Sequence, residues 1–181
     1  MTNPAKTNYG MWVLIAAIAA VALTRLIPHP PNFAPVVAVA LFGGAALRDR
    51  KLAFMVPMAA MLLADLIIGF HQTMLFTYTG MAAVVLIGMV LGHNRRPWKL
   101  AVAGVTGSLV FFLISNFGMW LISGFYPATP SGLAACLGAA LPFFHNTLSA
   151  TLVYGALLFF LESRLKRSGY NCEAPERAAS R

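Results

Sequence analysis

Arg25 and Asp65 each interrupt a long apolar stretch of this chain. A charged side chain is costly in hydrocarbon, so an intramembrane Asp or Arg faces a partner or a wet cavity. The two can neutralise each other as an ion pair, or each can meet an opposite charge on a ligand. The sequence leaves both uses open. Asn116 and Trp120 are four residues apart and share a helical face, which Phe112 extends by one turn. His145, Asn146 and Ser149 form a third polar group just after Pro142. His29, Asn32 and Phe33 come from a proline-rich segment, and His71, Thr73, Thr77 and Tyr78 surround a later connection. Guanidinium, carboxylate, amide, imidazole and indole groups at one depth suit recognition of a small polar solute. Each group also has a plainer use, as interhelical hydrogen bonding for Asn or interfacial anchoring for Trp.

The same residues make a poor catalytic set. His145 with Ser149 or Ser123 supplies a base and a hydroxyl but no third residue to orient them, and no GxSG or HExxH sequence is present. A membrane-embedded enzyme is therefore an alternative without a motif. His29, His71 and His145 match no metal or haem ligand spacing, which leaves a metalloprotein as a further alternative. No cofactor is expected. The Walker A pattern is also missing, so any transport by this chain needs a partner to supply energy.

Helices in lipid must position these groups. The chain has 181 residues, 59% hydrophobic and 10% charged, against about 25% charged in a soluble domain. Apolar blocks predict six transmembrane helices over residues 11–27, 35–47, 52–70, 73–92, 100–125 and 142–162, with an interfacial helix over 133–140. The second, about 13 residues long, rises only ~20 Å against a core of ~30 Å. The prolines of residues 28–35 disfavour helix, so this segment is expected to dip into the membrane zone ahead of the short helix. A helix starting there turns a partial positive charge toward the cavity; with Arg25 this favours a carboxylate, and Asp65 adds a preference for a zwitterion. The expected organisation is an N-terminal tail (1–10), an all-α six-helix transmembrane domain (11–162) and a basic, disordered C-terminal tail (163–181).

Twelve of the 13 Lys and Arg residues fall in the tails and in two loops, residues 48–51 and 93–99, on one side of this plan; Arg25 is the exception. The positive-inside rule places that side and both termini in the cytoplasm. It also explains the formal charge of +8 better than nucleic-acid binding does. The polar cluster then opens outward. Lys6, an apolar run and Ala20-Val21-Ala22 imitate a signal peptide, but the run continues to Ile27, and retaining it keeps an even number of spans. Cys136 and Cys172 form no CxxC and read as unrelated thiols. Ala16/Ala20, Ala60/Ala64 and Gly104/Ser108 have small-xxx-small spacing, which allows close helix packing within the bundle. A lipid-facing Ala16/Ala20 strip suits docking to another membrane subunit.

The runs Arg25-Leu-Ile-Pro-His-Pro-Pro-Asn-Phe-Ala-Pro35, Ala64-Asp65-Leu-Ile-Ile-Gly-Phe-His71 and Ser115-Asn116-Phe-Gly-Met-Trp120 resemble an uncharacterised family of bacterial integral membrane proteins labelled as transport proteins. The resemblance spans roughly residues 11–167. In outline that family is similar to the substrate-binding S components of energy-coupling-factor (ECF) vitamin transporters. This implies a bacterial inner-membrane protein with six helices, cytoplasmic termini and an outward pocket for a vitamin-like solute. It also implies a small-residue strip, matched by Ala16/Ala20, docking on a membrane scaffold with ATPase subunits. The leading expectation is a solute-capturing transport subunit; a scaffold subunit without ligand is the remaining alternative.

Overall fold

The computed structural model describes residues 4–92 and 95–170, with side chains from Tyr9 onward. The described residues form helices and no strands: α1 Pro4–Leu23, a 3-10 turn Thr24–Leu26, α2 Val36–Ala46, α3 Arg50–Ile68, α4 Met74–Leu91, α5 Pro97–Ile122 and α6 Pro130–Arg167. Local chemistry sets several ends. The Asp49 carboxylate accepts from the Lys51 and Leu52 N–H groups and caps α3 (2.8 and 3.2 Å). Thr129 caps α6 through the Gly132 N–H, and Pro97 and Pro130 open their helices where a missing N–H costs nothing. Gly69 at φ 104° ends α3, in backbone space that side chains disfavour.

The bundle differs from the expected plan in three ways. Among the described residues five helices, not six, are long and apolar enough to cross a membrane. α2 has 11 residues, about 16 Å of rise, and every one of them is buried. It packs on all five other helices, so it is a central pillar with no lipid face. The interfacial helix and the last span are one 38-residue helix running through Pro142. Pro142 removes one ladder hydrogen bond, a loss helices in membranes tolerate when neighbours re-satisfy the freed group. The helices also run past the expected tails, α1 from Pro4 and α6 to Arg167. The rest of the C-terminal tail with Cys172, and His93 and Asn94 of the second basic loop, lie outside the described residues.

Large apolar side chains crowd the outside, with Leu75 72% and Val90 90% exposed. Such a surface suits lipid. The inside is built on α2. Phe42 is fully buried and meets Phe159 edge-to-face at 5.0 Å. Gly44 and Gly88 bring α2 and α4 together, since a Cβ on either would collide with the other helix's backbone. Ala60, Ala64, Gly104 and Ser108 are buried within the bundle, whereas Ala16 and Ala20 face outward beside the exposed Trp12. α1 and α6 place both ends of the described chain at one end of the bundle, where Tyr9 and Tyr170 touch at 5.3 Å. Arg48, Arg95 and Lys166 belong to the same end.

Candidate functional site

At the opposite end, a cavity of about 370 Å³ opens between the 3-10 turn, the proline segment, the start of α2, the α3–α4 connection, α5 and α6. Arg25, Asn32, His71 and Asn116, all expected from sequence, line it. Thr77, Ser115 and Thr147 add hydroxyls, and Phe111, Phe112 and Met119 give it an apolar wall. The volume lies in the range of small-molecule sites.

The proline segment reaches the cavity through a tight turn. The Phe33 N–H donates to the Pro30 carbonyl at 3.0 Å. Pro31 and Asn32 are the central pair, with Asn32 at φ 61°. Proline followed by a left-handed Asn is the signature of a type II turn. Two neighbours on α6 pin it: the Asn146 amide donates to the Pro31 carbonyl (2.9 Å) and the Thr147 hydroxyl to the Asn32 carbonyl (3.3 Å). Behind Thr147, its carbonyl accepts from Thr151, whose hydroxyl accepts from Ser108 (2.8 and 3.0 Å). This buried ladder ties α5 to α6.

Asp65 stands behind the cavity wall. It is 1% exposed and bonds the Arg25 guanidinium at 2.6 Å and the Tyr78 hydroxyl at 2.7 Å. Both carboxylate oxygens therefore serve partners inside the protein. Arg25 is different. Its guanidinium has five N–H donors, and among the described residues Asp65 is its one hydrogen-bond partner. It also forms part of the cavity lining. The ion pair is real, and Arg25 is the member that reaches the cavity.

Asn116 spends one amide hydrogen on the Phe112 carbonyl (2.8 Å), which leaves its carbonyl oxygen and second N–H for other partners. The Cys136 thiol donates to the Asn116 backbone carbonyl at 3.5 Å and fixes that stretch of α5 against α6. Phe112 is backed edge-to-face by Phe144 at 5.3 Å. His71 bonds Thr73 through Nδ1 at 2.9 Å. α2 starts in the cavity wall at Val36 and Val37, and no side chain caps it. A helix N-terminus carries a partial positive charge and orphan N–H groups.

The other expected site residues stand elsewhere. Asn146 holds the proline turn. The Trp120 indole donates to the Pro127 carbonyl at 2.9 Å and holds the α5–α6 connection. His29, His145 and Ser149 are exposed and line no part of the cavity. The three histidines do not converge, and among the described residues no group of three His, Cys, Asp or Glu could hold a metal. Thr147 and Ser115 line the cavity without standing among the site residues expected from sequence. Thr147, Ala150, Thr151, Gly155, Leu158 and Glu162 form one buried stripe along α6, a helical period that His145 and Ser149 do not share.

No curated protein and no solved structure matches the chain. One family model matches nearly all of it, over residues 5–171, and the chain belongs to that family, described as a family of unknown function (DUF6580).

Proposed function

We propose that this protein is a transport subunit that captures a small carboxylate-bearing solute, zwitterions included, in the cavity around Arg25. The observation that carries the reading is the shared role of Arg25. Asp65 neutralises and orients the guanidinium from behind, while the cavity face keeps donors for a ligand. A carboxylate fits the planar fork of Arg, and the uncapped start of α2 adds favourable charge beside it. The Asn116 amide and the Phe111–Phe112 wall suit the polar and apolar parts of such a solute.

The positive-inside rule puts the basic end in the cytoplasm, so the cavity opens outward from a bacterial inner membrane. Energy comes from a partner, since the chain carries no Walker A sequence. The outward-facing Ala16/Ala20 strip on α1 suits close docking of an ECF-type scaffold with its ATPase subunits. The test is native mass spectrometry of the protein released from its own host membrane. An added mass of a few hundred daltons, lost in Arg25→Lys and in Asn116→Ala, supports the reading. Arg25→Lys keeps a cation beside Asp65 but loses the fork. A ligand retained equally by both variants would sink the proposal.

A further inference from the structure

A second recess begins one helical turn below Thr147 and runs toward the basic end between α5 and α6. Leu41 of α2 is its floor, with Leu100 and Gly104 on one wall and Thr151, Gly155 and Phe159 on the other, enclosing about 230 Å³. Gly155 is buried, yet a Cβ there would meet nothing within 4 Å, so the residue faces the recess itself. Leu100, Ala156 and Phe159 carry the recess into an adjoining space of about 350 Å³ that ends at Arg95, Glu162 and Lys166. From Thr151 to Lys166 the track is about 22 Å long by helical rise.

The far end is an ionic cluster. Glu162 is 2% exposed and sits between Arg95 and Lys166, the latter at 2.9 Å. Arg95 also donates to the Ala45 carbonyl at the end of α2 (2.6 Å) and lies over the Phe159 ring at 5.4 Å. Among the described residues, the cluster holds one carboxylate and two positive side chains. Arg164 and Arg167 in the last turn of α6, and Lys99 next to Leu100, carry the same sign.

We propose that this seam binds an anionic phospholipid of the leaflet at the basic end, one acyl chain along Leu41 and Gly155 and the phosphate at the Arg95–Lys166 cluster. This stands apart from the solute reading. The track matches the ~15 Å of hydrocarbon in half a bilayer plus the headgroup zone. Its lip is formed by the exposed Ala101, Leu152 and Ala156, so it opens sideways onto the apolar outer surface. A partner helix, about 10 Å across, does not fit a recess of 230 Å³. The basic side chains at this end, Lys99, Arg164 and Arg167 among them, select an anionic headgroup over a zwitterionic one, as basic pockets between membrane helices do.

The test uses the full chain in nanodiscs of phosphatidylcholine doped with phosphatidylglycerol. The protein is then extracted, and the lipid that stays with it is quantified. Wild type is expected to retain phosphatidylglycerol at least fivefold over its share of the bilayer. Gly155→Phe and Ala156→Trp fill the recess and should abolish retention; both are first checked for wild-type helicity, and Ala156 is exposed, so at least one stays folded. Lys166→Gln should lower the preference about fivefold, the usual worth of one basic side chain at a membrane surface. Displacement by soluble glycerol phosphate means that only an anion is recognised and overturns the lipid assignment. Equal retention of both lipids, or retention unaffected by both filled variants, also overturns it.

Discussion

Asp65→Asn separates a structural carboxylate from a ligand-binding one. The substitution keeps volume and one acceptor but removes the counter-charge of Arg25, whose side chain is only 14% exposed. Removing one partner of a buried ion pair costs about 3–5 kcal/mol. The lower end applies here, because the Asn oxygen still accepts from Arg25. At about 2–4 °C per kcal/mol for a chain of this size, thermal unfolding in detergent should fall by roughly 6–12 °C. Tyr78 loses its acceptor, but its hydroxyl can turn to accept from the Asn amide N–H instead. The triple change Arg25→Met/Asp65→Leu/Tyr78→Phe removes all three polar groups together. Replacing a buried ionic cluster with apolar residues is often neutral or stabilising, so unfolding should return to within about 4 °C of wild type, which is ~1 kcal/mol at the same conversion. Ligand binding should stay lost, because Arg25 is gone. An Asp65→Asn protein that unfolds at the wild-type temperature but no longer binds would refute the reasoning and make Asp65 a direct ligand contact.

Gly88→Ala places a methyl against the Leu41 carbonyl of α2 and should cost at least about 2–3 kcal/mol through overpacking; Gly104→Ala, with only ordinary contacts near 3.6 Å, should be neutral in the same unfolding assay. Asn146→Ala with Thr147→Val frees the proline turn from both anchors, so residues 28–35 should exchange amide hydrogens faster while the helices do not, at a stability cost of roughly 1 kcal/mol per bond. Glu162→Gln removes the buried carboxylate that pairs with Arg95 and Lys166 and should lower stability by about 3 kcal/mol, measured by unfolding, with solute affinity unchanged if the two ends act independently.

Hydropathy exposed the helices in this sequence because lipid-facing and core-facing residues are both apolar, so block length survives where amphipathic period does not. That same fact hid orientation. His145 and Ser149 looked equivalent to Thr147 because every position around α6 lies among apolar neighbours. The distinction rests on the Thr147–Thr151–Gly155–Glu162 stripe, visible only when polar and small residues are counted together. Gly44 and Gly88 were invisible for another reason. A close contact between two helices joins glycines 44 residues apart in number, and no local spacing announces it. Pro142 misled in the opposite direction: a residue that usually breaks a helix sits within one. The pairing of Arg25 with Asp65 was readable as one of two options; the structure forms the pair and adds the Tyr78 hydroxyl on the second carboxylate oxygen.

α2 explains why binding, and not only packing, suits the cavity end. A helix buried on every side must satisfy the backbone groups at both of its ends without bulk water. At its C-terminus the protein supplies a dedicated partner: Arg95 donates to the Ala45 carbonyl, and the buried Glu162 holds Arg95 in place. At its N-terminus it supplies none. Pro35 removes one N–H and offers no side-chain cap, although Asp49 and Thr129 cap α3 and α6. Capping by Ser, Thr, Asp or Asn is worth about 1 kcal/mol, and its omission at the most buried helix falls where Val36 and Val37 meet the cavity. Those orphan donors open on the cavity beside Arg25, where water or an acceptor on a bound solute can satisfy them. A Pro35→Ser variant tests the point: a serine that caps α2 should stabilise the protein by up to about 1 kcal/mol and weaken carboxylate binding at the same time. Stabilisation with unchanged affinity would show that the uncapped end plays no part in recognition.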